Sequence, residues 1–192
     1  MDDAMHAAAP LSRHALRLIA GLLAACALAG APRSVAANEV GPASREDLIK
    51  AAMVFNFMRF ASWPPARFAG PDSPLRLCVR DDSYIADALA AMDGKNLGQR
   101  HLRVRRLAAH AQFFAGCDLA FLTGADADAV PLRALGDAGV LTVADDDAAH
   151  ADAGISLLRF GRQLRFEVNS DAAARAGVVF SSKLLRLATD VR

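Results

Sequence analysis

Two groups of polar residues have types and spacing suited to chemistry. Asp145, Asp146 and Asp147 are followed by His150 and Asp152. Carboxylate oxygens with an imidazole are a ligand set that a divalent cation accepts. Consecutive residues converge on one ion only through a specific turn, however, and aspartate is favoured at helix N-termini for its own reasons. A solvated acidic loop leading into a helix start is therefore expected, without metal. Glu167 and Asn169 stand at the end of an alternating segment, with Lys183 beyond them. No nucleophile, base and orienting group accompany them in a recognisable constellation, and Asn169, Ser181 and Ser182 suit helix starts. The chain has no Gly-rich phosphate loop, no nucleophile elbow, no Cys-x-x-Cys and no histidine pair at metal-ligand spacing. The expectation is a protein that is not an enzyme and carries no cofactor.

A third group is aromatic. Phe55, Phe57, Phe60 and Trp63 surround Asn56 and Arg59. Such a stripe is most often core, but aromatic residues mixed with arginine are also what protein interfaces use for their strongest contacts. Beyond residue 37 only two cysteines remain, Cys78 and Cys117. In an oxidising compartment they are candidates for a disulfide. Closing a loop of about 40 residues would then contribute roughly 3–4 kcal/mol on the chain-entropy model. The alternative is two separate buried thiols, each packing as a small hydrophobe.

The elements that must position these groups follow from periodicity and punctuation. Ser44 with Asp47 forms a capping-box pattern that opens a helix over 45–61. That helix is apolar almost all round, and Glu46 and Lys50 are spaced as an i,i+4 pair marking a narrow wet face. Trp63-Pro64-Pro65 stops it, because a residue before proline is pushed out of the helical region. Strands are expected at 75–79, 102–107, 119–123 and 140–143, alternating with helices at 83–92, 108–114 and 128–136. This rhythm predicts an α/β fold: a single three-layer domain with a mainly parallel sheet and helices on both faces. Leu119-Ala120-Phe121-Leu122 reads as a central strand buried on both faces. Residues 155–160 and 163–168 then predict an antiparallel hairpin turning on Gly161-Arg162. Short helices at 171–175 and 182–188 close the chain.

The first 37 residues have a different layout. Arg13, His14 and Arg17 precede an apolar run from Leu18 to Leu28, and small residues lead to Ser34-Val35-Ala36-Ala37. This is the pattern of a secretory signal cleaved after Ala36 or Ala37, and the run is short for a membrane span. Leu23-Ala24-Ala25-Cys26 also fits a lipobox, which would tether the protein by acyl chains at Cys26; the downstream small-residue site favours release. Residues 38–192 then form one domain with 19 basic and 19 acidic residues. With the charges balanced, nothing suggests the concentrated basic footprint of a nucleic-acid binder. Arg100, Arg103, Arg105 and Arg106 alternate with Leu102 and Val104 over part of their run and read as the wet face of a strand.

Four blocks carry a resemblance: KAAMVFNFMRFASWP (50–64), LRLCV (75–79), LTVAD (141–145) and RFEVNSDAAARAGVVFSSKLLRLA (165–188). In this order they resemble the YfiR family of periplasmic regulators. The resemblance implies an exported protein that represses an inner-membrane diguanylate cyclase by binding its periplasmic region, lowering cyclic di-GMP and biofilm formation. It implies further partners, a peptidoglycan-associated outer-membrane lipoprotein and a second copy of the chain. Cys78 and Cys117 resemble one family cysteine pair, and a second pair of some members is absent. Phe55, Asn56, Arg59, Trp63, Glu167, Asn169 and Lys183 match the signature and are the expected partner-binding positions. The family's frequent Leu-Tyr is Val54-Phe55 here, without the phenol hydroxyl, and its Gly-Gly before the late strand is Ala153-Gly154. The other reading is a periplasmic small-molecule-binding component of a sensor kinase or transport system, its ligand in the crevice at the carboxyl ends of the strands.

Overall fold

The structure is a computed structural model that describes residues 43–108, 114, 116–126, 130–145 and 151–192. The expected signal segment, Cys26, the helix at 108–114 and the candidate ligands Asp146, Asp147 and His150 fall wholly or largely outside the described residues.

Helix α1, Arg45–Arg59, begins as the sequence predicts. Ser44 Oγ accepts from the Asp47 amide at 3.2 Å, and Asp47 Oδ2 accepts from the Ser44 amide at 2.8 Å. Phe60 caps its C-terminus, and the chain passes into a two-residue strand β1, Ala61–Ser62. The strands of the main sheet are β2 Leu75–Arg80, β3 Asn96–Leu97, β4 Arg100–Leu107, β5 Leu119–Leu122, β6 Leu141–Ala144, β7 Ile155–Phe160, β8 Gln163–Val168 and β10 Asp190–Val191. Between them lie α2 Ala86–Ala90, α3 Leu132–Asp137, α4 Ser170–Arg175 and α5 Ser182–Leu185, with β9 at Val179–Phe180.

The spatial order is β10-β8-β7-β6-β5-β2-β4-β3. Strands β4, β2, β5, β6 and β7 run parallel, and β8 returns antiparallel beside β7. The hairpin register, Phe160 against Gln163 and Ile155 against Val168, leaves Gly161 and Arg162 as the turn. Gly161 takes a left-handed φ of 59°, which is why glycine leads it. Strand β5 is buried at every residue between β2 and β6, as its unbroken apolar run predicts.

Alternation along the strands divides the core in two. Leu77, Val79, Leu119, Phe121, Leu141, Val143, Ile155 and Leu157 meet α1, α2 and α5 in the larger cluster. Cys78, Ala120 and Leu122 face the other way, against Phe114, Cys117, Val130 and Leu135 of the α3 side. Helical elements thus cover both faces, the three-layer arrangement expected of a βαβ rhythm. Within the smaller core Cys78 and Cys117 form a disulfide, with Cα atoms 5.9 Å apart. That settles the choice between a bond and two thiols.

Several pieces are not where pattern places them. Helix α2 is shorter than the 83–92 segment, and α3 starts at Leu132. Strands β1 and β9, two residues each, pair antiparallel as a separate ribbon. Too short to show a period, they leave no sequence signal.

Candidate partner-binding surface

Strand β2 is flanked by β4 on one side and β5 on the other, so the chain direction across the sheet reverses between β2 and β5. In open parallel sheets that point is where small ligands bind. Here the carboxyl ends of those strands are occupied by side chains. Arg80, at the end of β2, pairs with Asp126 after β5 at 2.5 Å, and both are buried.

A second buried polar group lies at the end of β6 and involves α1. Lys50 is 5 % exposed, and its Nζ reaches Asp145 Oδ2 at 2.8 Å, Tyr84 Oη at 3.0 Å and Glu46 Oε1 at 3.2 Å. Tyr84 also donates its hydroxyl to Asp145. Two expectations are corrected. Glu46 and Lys50 do pair, but Lys50 marks a buried seam of α1 and not a wet face. Asp145 is 2 % exposed and serves as a counter-ion inside the fold, not as part of a solvated loop. Its partner lies 95 positions away in sequence, which is why local spacing does not reveal the pair. Asp152 is on the surface near Arg133, at 3.4 Å. Among the described residues no cluster of three metal-ligating side chains occurs.

Glu46 continues the network outward, since Arg159 at the end of β7 donates to it as well. Burial pushes the Glu46 carboxyl up. The bonds from Arg159 and Lys50 and their positive charge outweigh this and hold it below its ordinary value.

The signature residues separate into two kinds. Trp63 is buried, and its indole donates to the Asp118 carbonyl at 3.3 Å. It belongs to a knot in which the fully buried Asp118 carboxylate takes Arg67 Nε at 2.7 Å and Arg76 Nε at 3.1 Å. Asn169 caps α4, accepting from the Ala172 amide at 2.9 Å, and donates to the Ala151 carbonyl at 2.7 Å. Both side chains are committed to the fold.

Asn56 and Arg59 are exposed near the C-terminus of α1, and half-buried Phe55 packs its ring against the core. Lys183 is exposed on α5. The β1–β9 ribbon joins the ends of these two helices, with Ala61 opposite Phe180 and the Ser181 amide donating to the Phe60 carbonyl at 2.9 Å. Ser181 then caps α5 through the Leu184 amide. Glu167 lies apart on β8, where its nearest cation is Arg192 at 3.7 Å. Sequence distance hides the α1–α5 junction, because the ribbon that makes it is invisible to pattern.

The cluster of arginines on β4 behaves as a wet strand face. Arg103 pairs with Asp93, and Arg106 with Asp81 and Asp87; Arg100 lies over the Phe68 ring at 3.6 Å. Local carboxylates neutralise much of it. No helix among the described residues is long and apolar enough to cross a membrane.

No curated protein matches the chain. The YfiR/HmsC-like family model matches residues 47–189, which include most of α1, strands β1 to β9 with the hairpin, and the α1–α5 junction. On that coverage, the chain belongs to the YfiR/HmsC-like family.

Proposed function

We propose that this chain is a regulatory binding protein of the periplasm. It holds an inner-membrane diguanylate cyclase inactive by binding the region of that enzyme outside the cytoplasm, and so lowers cyclic di-GMP and biofilm formation. The observation that carries this reading is the family match across residues 47–189. Supporting it, the switch-point crevice that would suit a small ligand is occupied by the Arg80–Asp126 pair, while signature residues Asn56, Arg59 and Lys183 stand on the surface at the α1–α5 junction. Phe55 packs its ring against the core with the Lys95 ammonium over it, and Glu167 lies apart on β8.

Repression by binding requires a difference in affinity. A partner with active and inactive states is shifted only as far as the regulator prefers one of them. Shifting a population from 1:99 to 99:1 takes a preference of about 5.5 kcal/mol. One protein–protein interface with a few strong aromatic and arginine contacts reaches that scale.

The test is affinity capture of the tagged, exported protein from detergent-solubilised membranes of its own host, with and without reductant. The expected result is a cyclase-domain membrane protein retained by the wild type. Substituting Arg59→Glu with Lys183→Glu should reduce the recovered amount by tenfold or more, taking about 1.4 kcal/mol per tenfold. Equal recovery of the cyclase with the variant would remove the junction from the interface. Failure to recover any cyclase would count against the regulatory reading itself.

A further inference from the structure

The first half of α1 and the start of β8 form a groove that contains none of the seven signature positions named above. It encloses about 760 Å³, with α1 as one wall and the tip of the β7–β8 hairpin as the other. Arg45, Arg159, Arg162 and Arg165 line it, against a single carboxylate, Glu46. That carboxylate is already matched by Lys50 at 3.2 Å and by Arg159. Arg165 donates to the neutral Gln163 amide oxygen at 2.7 Å, which leaves its charge uncompensated. Arg45 and Arg162 reach no carboxylate among the described residues. Residues 38–192 carry no net charge, so this concentration is local.

The groove also has an apolar strip. Ile49 and Met53, one helical turn apart on α1, face it with Leu164 of β8. Ile49 is 45 % exposed. Guanidinium groups in a fixed fork recognise carboxylates with two parallel hydrogen bonds. Apolar side chains between them offer the desolvated contacts that give an interface its affinity.

We infer that this groove is a docking site for an acidic segment of a protein partner, a stretch in which Asp or Glu alternates with large apolar side chains. The occupant belongs to the extracytoplasmic region of the membrane protein in the regulatory reading, on which this assignment rests. Charge complementarity selects it. A second copy docking through the same groove would place two sets of arginines face to face, since a two-fold interface repeats the same patch on both sides.

The experiment places a photo-crosslinking benzoylphenylalanine at Ile49 of the full chain, expressed in its own host lacking the native gene. Adducts are mapped by mass spectrometry, and cyclic di-GMP is measured in the same cells. The expected adduct joins residue 49 to an Asp- and Glu-rich, apolar-bearing stretch of a membrane protein. Arg45→Glu, Arg162→Glu and Arg165→Glu together should lower its yield about tenfold or more, as like charges now oppose one another. Non-reducing electrophoresis checks that the variant keeps its Cys78–Cys117 bond and its abundance.

An adduct on lipid, on a second copy, on the chain's own residues, or on a neutral or basic segment would overturn the proposal. So would an undiminished yield from the triple variant, or the absence of any adduct. Cyclic di-GMP separates the two levels. Where the triple variant still represses the cyclase, the groove assignment fails and the regulatory reading stands. Where cells without the gene show unchanged cyclic di-GMP, the regulatory reading fails as well.

Discussion

Burying a lysine costs several kcal/mol unless its ammonium meets carboxylates, and Lys50 meets two, Glu46 and Asp145, with the Tyr84 hydroxyl between. The pair ties α1 to the end of β6, one element before the hairpin. Lys50→Met would strand Asp145 in the interior without its cation and is expected to cost about 3–5 kcal/mol, measured by urea denaturation. Adding Asp145→Leu should recover most of that loss, because a buried pair replaced by apolar groups of similar volume is often near neutral. A double variant as unstable as the single one would show that the network does more than satisfy itself. Glu46 gives a pH signature. Its folded-state pKa lies below the ordinary 4.5, so its contribution is present above that pH and is lost as pH falls through the lower folded value. Glu46→Gln should therefore flatten the acid limb of stability against pH and leave the slope between pH 6 and 8 unchanged. An acid limb identical to wild type would contradict the assignment.

At the scale of elements, the disulfide and one glycine hold the sheet's two faces. The Cys78–Cys117 bond closes a 39-residue separation within the smaller core. Reduction, or Cys78→Ala with Cys117→Ala, is expected to lower stability by roughly 3–4 kcal/mol, read as a drop in the denaturation midpoint. Gly154 precedes β7, and a Cβ there would lie 2.6 Å from Leu141 Cδ1 and 3.3 Å from the Thr142 carbonyl oxygen. Leu141 is fully buried and cannot yield freely. Gly154→Ala should cost about 1–3 kcal/mol by overpacking, whereas Gly161→Asn at the open hairpin turn should cost less. The contrast follows from which glycine needs close approach and which needs only its φ.

These elements also show where sequence suffices. The hairpin, β5 and the start of α1 were legible because each carries its whole signal locally: a two-residue turn, an unbroken apolar run and a reciprocal cap. The cysteine pair was legible through compartment and count. The Lys50–Asp145 and Arg80–Asp126 pairs were not, since each joins residues from separate elements across the carboxyl ends of the sheet. Trp63 and Asn169 match the signature, but their residue types also suit a core aromatic and a helix start, and those are the places the structure gives them. The two-residue strands of the β1–β9 ribbon were silent for want of length.

At the scale of the molecule, an α/β layer fold that elsewhere holds a ligand at its switch point here carries the buried Arg80–Asp126 pair there and presents two surfaces on α1. One is the junction with α5, bearing Asn56, Arg59 and Lys183; the other is the arginine-lined groove against the hairpin. Both lie on the same helix, so one partner that engages α1 along its length can contact both. The account rests on that partner being a cyclase whose activity falls when the protein binds. The most direct measurement is intracellular cyclic di-GMP in the parent strain, in a strain lacking the gene, and in that strain complemented with the wild-type chain. A rise on deletion, reversed by the wild-type chain, is the predicted result. Levels that stay unchanged on deletion across several growth conditions would contradict it.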